Sequence, residues 1–296
     1  MDINNIKAFV SVAETGSFSN AAERLYVTQP AVSKRIAGLE STLSTKLFDR
    51  IGRRIILTEA GKTILPKCRL ILDTLNDTAT SIHNLSGEVS GRLTLGTSHH
   101  IGLHHIPPVL RQYVQRYPNV QLDIHFLSSE QVCEKVENAD LELGIITLPI
   151  EVPEKLTVNS LWKDPMQLVV NSEHPIAQQT TCTLDAFTRA NAILPERSTF
   201  TYSIIDREFI KRGIELKAAY ATNYLQTIKM MVAIGLGWSV LPETLIDDEL
   251  HIIHIPQVSF SRTLGTVRHK QRTLSNATLA MLSLLDNTRC NRPSLP

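Results

Sequence analysis

The feature that most constrains this chain is a long helical pattern between Thr58 and Leu85. Apolar residues recur there every three or four positions: Ile64, Cys68, Ile71, Leu75, Ala79, Ile82 and Leu85. A helix of this length with a narrow apolar seam has no core of its own, so it packs against a partner helix. The pattern therefore predicts a dimerisation helix whose seam is Ile64, Cys68, Ile71, Leu75 and Ile82. Packing of the seam against the chain's own N-terminal part stays open as the alternative.

Three shorter helical patterns precede the long one. The first ends at Thr15-Gly16, where glycine allows the left-handed cap conformation. The second follows a serine cap, and its two alanines, Ala21 and Ala22, allow close helix approach. The third begins at Thr28, with Pro30 in its first turn, where a missing N–H costs nothing. This order predicts a helix-turn-helix.

The outer face of the third helix suits double-stranded DNA. It presents Gln29, Ser33, Lys34 and Arg35 in its first turns. In the major groove, glutamine reads adenine, and arginine or lysine reads guanine. The next segment, Asp49 to Thr58, has the pattern of a strand, a glycine turn and a strand, and this basic wing suits phosphates or the minor groove.

Charge is concentrated in the same region. The whole chain carries a formal charge of +1, but the stretch from Arg24 to Arg69 holds ten bases and three acids, a local charge of +7. The remainder therefore carries −6. A local basic segment is the electrostatic signature of nucleic-acid binding.

These residues resemble a known family. The ordered run of Phe9-Val10, Gly16-Ser17-Phe18, Ala21-Ala22, Thr28 to Ser33, Leu47 to Arg50 and Leu57 to Gly61 is similar to the DNA-binding signature of LysR-type transcriptional regulators. The resemblance extends over the whole chain. It implies that Gln29, Pro30, Ser33 and Lys34 approach bases and that Arg53 sits on the wing. The DNA-contacting set expected in full is Thr28, Gln29, Pro30, Ser33, Lys34, Arg35, Arg50, Arg53 and Arg54.

The resemblance also implies an α/β architecture. A winged helix-turn-helix over 1–58 is followed by a linker and dimerisation helix with a hinge over 59–90. The effector domain over 91–296 is two-lobed and resembles type 2 periplasmic binding proteins. Lobe 1 covers about 91–162 and 263–296, and lobe 2 about 163–262. Expected partners are double-stranded DNA, a small-molecule effector, a second copy in a homodimer or homotetramer, and RNA polymerase.

Beyond residue 90, apolar strand patterns alternate with helical ones, which predicts a mostly parallel sheet with crossover helices. Among these elements are a helix over 103–117 and a strand over 166–170. The chain is expected to cross between lobes near Trp162-Lys163 and again near Arg262.

Hydroxyl side chains follow several of the predicted strands. Small ligands bind beyond the carboxyl ends of strands in open α/β sheets, and hydroxyls and helix N-termini donate hydrogen bonds to anionic or zwitterionic solutes. The sequence therefore predicts a small polar, anionic effector. Its expected contacts are Thr97, Ser98, His99, His100, Ser128, Ser129, Thr147, Thr199, Phe200 and Thr201. Helix capping by these Ser and Thr residues is the alternative reading.

Other functions have weaker support in the sequence. His100 and His104 have a metal-ligand spacing without a third ligand, so no metal and no cofactor is expected, and His104 and His105 fit a helix surface. Peroxide-sensing members of the family use a cysteine pair in the second lobe, which the corresponding stretch lacks. This disfavours thiol sensing. A metal- or redox-sensing regulator that uses histidines, or cysteines such as Cys133 and Cys182, remains an alternative.

No catalytic motif of a hydrolase, a nucleotide-binding loop or a metalloprotease is present, so we expect no enzyme. No secretory signal or transmembrane stretch is visible, which predicts a cytoplasmic protein without a membrane partner. A plain cytoplasmic solute-binding protein is the remaining alternative.

Overall fold

The computed structural model describes residues 1–51, 54–85, 87–178, 183–187 and 190–290. The chain forms two compact units, Met1–Ser86 and Gly87–Pro296. Each unit is described separately below. Among the described residues, no helix has the length and apolar character needed to cross a membrane.

The first unit begins with three helices: α1 (Ile3–Thr15), α2 (Phe18–Arg24) and α3 (Gln29–Leu43). Helix α1 ends at Gly16, which has a positive φ of 63°. The hydroxyl of Ser17 accepts a hydrogen bond from the backbone N–H of Asn20 at 3.3 Å and so caps α2. These caps separate the helices at the places where the sequence predicts the breaks.

A two-stranded hairpin follows, made of β1 (Phe48–Ile51) and β2 (Arg54–Leu57). Helix α4 (Glu59–Asn84) completes the unit. The core contains the fully buried rings and aliphatic chains of Phe9, Leu39 and Leu47, against which the first half of α4 packs. The hairpin and the three helices together form a winged helix-turn-helix.

The second unit is built on a seven-stranded sheet in the order β10 (Leu250–Ile252), β6 (Leu156–Asn171), β11 (Phe260–His269), β5 (Leu143–Thr147), β3 (Gly91–Thr97) and β4 (Val120–Phe126), and β9 (Ser239–Pro242) also pairs with β6. Three of its strands are parallel: β3 (Gly91–Thr97), β4 (Val120–Phe126) and β5 (Leu143–Thr147). The helices of this half are α5 (His99–His104), α6 (Pro107–Arg116), α7 (Ser129–Glu137) and α11 (Asn276–Cys290).

Two long antiparallel strands, β6 (Leu156–Asn171) and β11 (Phe260–His269), run through the unit side by side. The remaining strands are β7 (Ala192–Leu194), β8 (Ala218–Ala221), β9 (Ser239–Pro242) and β10 (Leu250–Ile252). The remaining helices are α8 (Leu184–Phe187), α9 (Phe200–Ile210) and α10 (Leu225–Ala233), with 3-10 turns at Pro175–Gln178 and Glu243–Leu245.

The second unit has separate hydrophobic cores. One surrounds the buried side chains of Leu93, Leu143 and Trp162. Another is centred on the ring of Trp238, which stacks on Phe209 at 5.6 Å between ring centroids. Because each core is covered by its own helices and the long strands continue between them, the unit has two lobes, as the sequence predicts for the fold class.

Two predicted elements differ from the structure. The helix expected over 103–117 is two helices, α5 and α6, because Pro107 and Pro108 occupy the first turn of a new helix. The strand expected over 166–170 is the end of the 16-residue strand β6. Exposure alternates along the middle of this strand, from Trp162 to Leu168, because one face is buried there, and the alternation is interrupted before Trp162, where the pairing with β11 shifts register.

Candidate functional site

The outer face of α3 is polar and accessible. Gln29 and Lys34 are exposed, while Ser33 and Arg35 are half-buried, and the opposite face buries Val32, Ile36 and Leu39. The side-chain amide of Gln29 donates a hydrogen bond to the hydroxyl of Ser33 at 3.0 Å. This bond orients the amide and leaves one of its N–H groups and its carbonyl oxygen for a base edge.

The start of α3 differs in detail from the sequence expectation. Thr28 occupies the N-cap position, but its side chain makes no capping hydrogen bond, and Pro30 lies in the first turn. Thr28 and Pro30 are both exposed. Just before them, Tyr26 has a positive φ of 53° and is 96% exposed, which the sequence analysis missed. A positive φ for a bulky residue marks a tight turn, and here it displays an aromatic ring beside α3.

The wing contains the remaining predicted DNA-contacting residues. In β1 and β2, Arg50 pairs in register with Ile55, and Arg54 with Ile51. The structure describes only the backbone of Arg50 and Arg54, and Arg53 lies outside the described residues.

Several of the bases counted above form ion pairs within the first unit. Arg24 and Arg69 both contact the carboxylate of Glu14, at 2.6 and 3.2 Å, and Lys46 contacts Glu40 at 2.8 Å. Arg24 and Arg69 share the single carboxylate of Glu14, so these contacts cancel only part of the local charge. Lys34 and Arg35 on α3 form no ion pair with a described residue and keep their charge for a phosphate backbone.

The predicted seam of α4 divides into two parts. Cys68 is 3% exposed and Ile64 is half-buried, and both pack on the core formed with α1. Because contact with the core of the first unit covers them, Ile64 and Cys68 do not belong in the dimerisation set, which corrects the prediction. Farther along the helix, Ile71 is 37% exposed, Leu75 41% and Ile82 66%. Only this second part of the seam is free to bind a partner helix.

A cavity of about 290 Å³ lies in the second unit, where helices begin after several strands. Most of the predicted effector residues line it: Ser98, His99, His100, Ser128, Ser129, Thr147, Thr199 and Thr201. Such a volume is near the lower end for small-molecule sites. The cavity therefore suits a small solute.

Many of the cavity hydroxyls are already hydrogen-bond acceptors. Ser98, Ser128 and Thr199 each cap a helix by accepting from a backbone N–H, at 3.4, 3.2 and 3.1 Å, and Ser129 accepts from the N–H of Thr147 at 3.2 Å. Ser98, Ser128 and Ser129 retain their own O–H as a donor, whereas the O–H of Thr199 already donates to the backbone carbonyl of Glu196 at 2.7 Å. Helix capping and ligand binding are therefore compatible here, and the cavity presents donors suited to an oxygen-rich ligand.

Two predicted residues are not part of the cavity lining. Thr97 is fully buried, and its hydroxyl donates to the backbone carbonyl of Ile145 at 2.8 Å. Phe200 packs its ring on a neighbouring hydrophobic cluster, and its backbone N–H donates to Glu130 Oε1 at 2.6 Å. Both residues support the site through the backbone, which corrects their assignment as side-chain ligands.

The sequence analysis missed the buried arginine of the site. Arg262 lines the cavity and is 4% exposed. Its Nε donates to Asp164 Oδ2 at 2.7 Å, and its Nη1 donates to Thr201 Oγ1 at 3.3 Å. Arg262 and Asp164 are register partners on β11 and β6. No local pattern could have indicated this pair, because almost a hundred residues separate its members.

The histidines near the cavity differ strongly from one another. His100 is 3% exposed, and its pKa falls to about 2, because burial and then the charge of Arg262 disfavour the imidazolium. The expectation of a surface position is wrong for His105, whose ring is buried and stacks on Trp162 at 5.6 Å. His104 is exposed and lies 3.3 Å from the amide nitrogen of Gln226.

A possible ligand set for a cation differs from the spacing pair His100 and His104. The ligand atoms of His100, His105 and Asp164 all lie within 4.8 Å of one another, and all three residues are buried. A metal there would compete with Arg262 for the carboxylate of Asp164. The guanidinium opposes a second cation, so the arrangement favours the ion pair.

The cysteines give little support to redox sensing. Cys133 is buried, and burial together with two nearby glutamates raises its pKa to about 12, so it is a protonated thiol at neutral pH. Cys182 lies outside the described residues, as does the side chain of Cys290.

Together, these features define a two-unit protein that combines a winged helix-turn-helix with a ligand-binding unit of two lobes. The model of the LysR substrate binding domain matches residues 86–289, and that of the bacterial regulatory helix-turn-helix protein of the lysR family matches residues 3–62. The chain belongs to the LysR family of transcriptional regulators. It is a DNA-binding regulator with an effector-binding domain, so the fold and function implied by the sequence resemblance are confirmed.

Curated relatives of this chain are transcriptional regulators. A probable RuBisCO transcriptional regulator from Synechocystis sp. is 31% identical over 290 residues, covering 95% of this chain and 84% of the relative. An uncharacterized HTH-type regulator encoded in an ibpB-leuC intergenic region of Azotobacter vinelandii is 62% identical over 108 residues, covering 36% of this chain and 75% of the relative.

Solved structures share the fold. A variant of full-length OxyR from Pseudomonas aeruginosa has a TM-score of 0.69 at 22% identity, covering 98% of this chain and 94% of that one. CbnR in complex with its target DNA has a TM-score of 0.63 at 19% identity, covering 97% of this chain and 100% of that one.

Proposed function

We propose that this LysR-type regulator controls transcription by coupling a small polar, anionic effector to the way it binds or bends its operator. The observation that carries the proposal is the convergence of hydroxyl donors and the guanidinium of Arg262 on one cavity. Such donors favour oxygen acceptors. A ligand held between lobes shifts their arrangement only if it binds one arrangement more tightly than the other.

The DNA-binding face in this proposal is α3 with the wing. Gln29, Ser33 and Lys34 contact bases, Arg35 supports them, and the wing arginines contact phosphates. The exposure of Gln29 and Lys34 and the bond between Gln29 and Ser33 support this assignment. The protein acts in the cytoplasm, where it meets its operator and contacts RNA polymerase.

The functional assembly in this proposal is a homodimer formed through α4, with pairs of dimers making a tetramer. Support comes from Ile71, Leu75 and Ile82, which are exposed along one face of α4. Two recognition helices in a dimer bind two half-sites, so the operator contains an inverted repeat.

One experiment separates this proposal from a plain solute-binding protein. Full-length protein selects binding sites from a pool of random DNA, and its affinity for the selected site is measured with panels of dicarboxylates, sugar phosphates and amino acids. We expect an inverted repeat and a change in affinity with at least one compound. Failure to retain any DNA would favour the solute-binding alternative.

The second step tests the cavity. The double variant Ser98→Ala with Thr147→Ala should lose the response to the compound while keeping a wild-type unfolding transition. If the double variant binds the compound as tightly as wild type in a calorimetric titration, the effector site lies elsewhere.

A further inference from the structure

The charged groups around the cavity indicate that the effector carries a positive group in addition to its anionic one. This inference rests on the proposed function, because it concerns the same cavity. We propose that the effector is a zwitterion, a small molecule that carries an anionic oxygen group bound by Arg262 and an ammonium group bound by Glu130. Compounds with the size and charges of a free amino acid have this chemistry.

Arg262 has an unused donor in a buried position. Its Nε and Nη1 bind Asp164 and Thr201, but its Nη2 has no hydrogen-bond partner among the described residues and is shielded from solvent. A buried donor without an acceptor costs free energy, which an incoming acceptor recovers. Because Arg262 also lines the cavity, an anionic oxygen of a bound ligand is the acceptor that its guanidinium lacks.

Glu130 supplies the opposite charge in the same cavity. It lies in the first turn of α7 and lines the cavity, and its Oε1 accepts a hydrogen bond from the N–H of Phe200 at 2.6 Å. Within the described part of the chain, its Oε2 has no hydrogen-bond partner. This oxygen is an acceptor for a positively charged donor.

The balance of charge also favours a ligand with both signs. Asp164 already neutralises Arg262 at 2.7 Å, so among the described lining residues the carboxylate of Glu130 is the charge left uncompensated. A ligand carrying only negative charge would add to that of Glu130 in a partly desolvated cavity, where like charges repel more strongly than in water. An ammonium on the same ligand removes this repulsion.

Aromatic rings in the cavity wall add to the same preference. Phe126 and Tyr224 line the cavity, and the ring of His99 lies 5.6 Å from that of Phe126 and 5.1 Å from that of Tyr224. The faces of Phe and Tyr attract an ammonium group through their quadrupoles. The cavity therefore has an oxygen-binding group at Arg262 and a cation-binding group at Glu130, and its wall contains aromatic rings of the type that attract an ammonium group.

The test uses full-length protein and sets of three matched compounds. Each set contains an L-amino acid, its 2-oxo acid, which lacks the ammonium, and its decarboxylated amine, which lacks the carboxylate. Thermal unfolding selects the binders, and calorimetry measures their Kd. We expect at least one amino acid to bind, with both of its matched compounds weaker by about tenfold or more, the scale of one charge-assisted hydrogen bond.

Substitutions at Glu130 and Arg262 test which residue binds which charged group of the ligand. Glu130→Gln should weaken binding of the amino acid by about tenfold and should leave binding of the 2-oxo acid unchanged or make it tighter. The ratio of the two affinities should therefore fall by about tenfold or more. Glu134→Gln on the same helix is the matched control, because Glu134 is exposed and outside the cavity lining, and it should keep the ratio. Arg262→Gln should weaken binding of the amino acid without weakening binding of the amine, because the substitution removes the group that binds the carboxylate and leaves Asp164 without its counter-ion.

Two results would overturn the inference: absence of binding by every amino acid at millimolar concentration, or a 2-oxo acid or dicarboxylate that binds as tightly as any amino acid. In the second case, the proposed function still stands if Ser98→Ala with Thr147→Ala abolishes that binding. If amino acids bind as the zwitterion inference predicts and this double variant leaves their affinity unchanged, the assignment to the cavity fails for both.

Discussion

Arg262 and Asp164 lie opposite each other on β11 and β6 and form a buried ion pair, with Nε 2.7 Å from Oδ2. Each side chain is less than 5% exposed. The pair sits where the two long strands adjoin the cavity, and the rings of His100 and His105 approach the same carboxylate at 3.7 and 4.0 Å. The carboxylate is therefore both a structural anchor of the lobes and the group that positions the guanidinium.

The first prediction concerns this ion pair. Asp164→Ala leaves a buried guanidinium without its counter-ion, so it should lower the free energy of unfolding by about 3–5 kcal/mol. Asp123→Ala is the matched control, because it removes a carboxylate that pairs with the exposed Arg92, and it should cost at most about 1 kcal/mol. Urea unfolding of both variants measures the difference. Equal losses of unfolding free energy in the two variants would mean that burial does not set the contribution of the Arg262–Asp164 pair to stability.

The second prediction concerns α3. Gln29→Ala should weaken binding to the selected operator by about 1–3 kcal/mol and relax base preference, because one base contact is lost. Ser41→Ala is the control, since Ser41 is exposed on the last turn of α3, away from Gln29. Fluorescence anisotropy with the operator and with single-base variants measures both effects. If Gln29→Ala retains wild-type affinity and base preference, the first turns of α3 do not contact the bases of the operator.

The third prediction concerns the exposed seam of α4. Ile71→Asp with Leu75→Asp should give a monomer, because burial of each side chain in a helix pair contributes roughly 1.5–3 kcal/mol and charged groups prevent it. Asn76→Asp with Thr80→Asp adds the same two carboxylates on the opposite side of the helix and should leave the mass unchanged. Sedimentation velocity distinguishes the outcomes. A dimer in the first variant would place the interface on another surface.

The fourth prediction concerns the pH dependence of stability. The folded-state pKa of His100, about 2, lies below the ordinary histidine value of 6.5, so the unfolded chain takes up the proton first as the pH falls. Stabilisation by the neutral ring is therefore complete above about pH 6.5 and declines toward pH 2. Between about pH 7.5 and pH 5, the free energy of unfolding should fall by about 2 kcal/mol from this group.

His100→Gln should remove this part of the pH dependence, as measured by urea unfolding at both pH values. His104→Gln is the matched control, because His104 is exposed on the same helix, and it should retain the dependence of wild type. An unchanged dependence in His100→Gln would show that the ring titrates normally in the folded protein.

The sequence by itself determined the order of the helices and the hairpin in the first unit and the alternation of strands and helices in the second. Caps and breaks such as Gly16 and Ser17 are local, so the spacing of apolar residues was sufficient to predict α1, α2 and α3. The hydroxyls at the strand ends were also predictable, because parallel strands place their carboxyl ends along one edge of a sheet. These predictions depend on interactions between residues close together in the chain.

Only the tertiary structure decided which residues of a regular pattern are covered. Cys68 and Ile71 belong to the same helical seam, yet contact with α1 buries Cys68 and leaves Ile71 exposed. Neighbours likewise differ when another element packs on one of them, as His105 is buried and His104 is not. The Arg262–Asp164 pair depends on the register of two strands that are distant in the chain, and no periodicity encodes such a register, because it follows from the packing of the whole sheet.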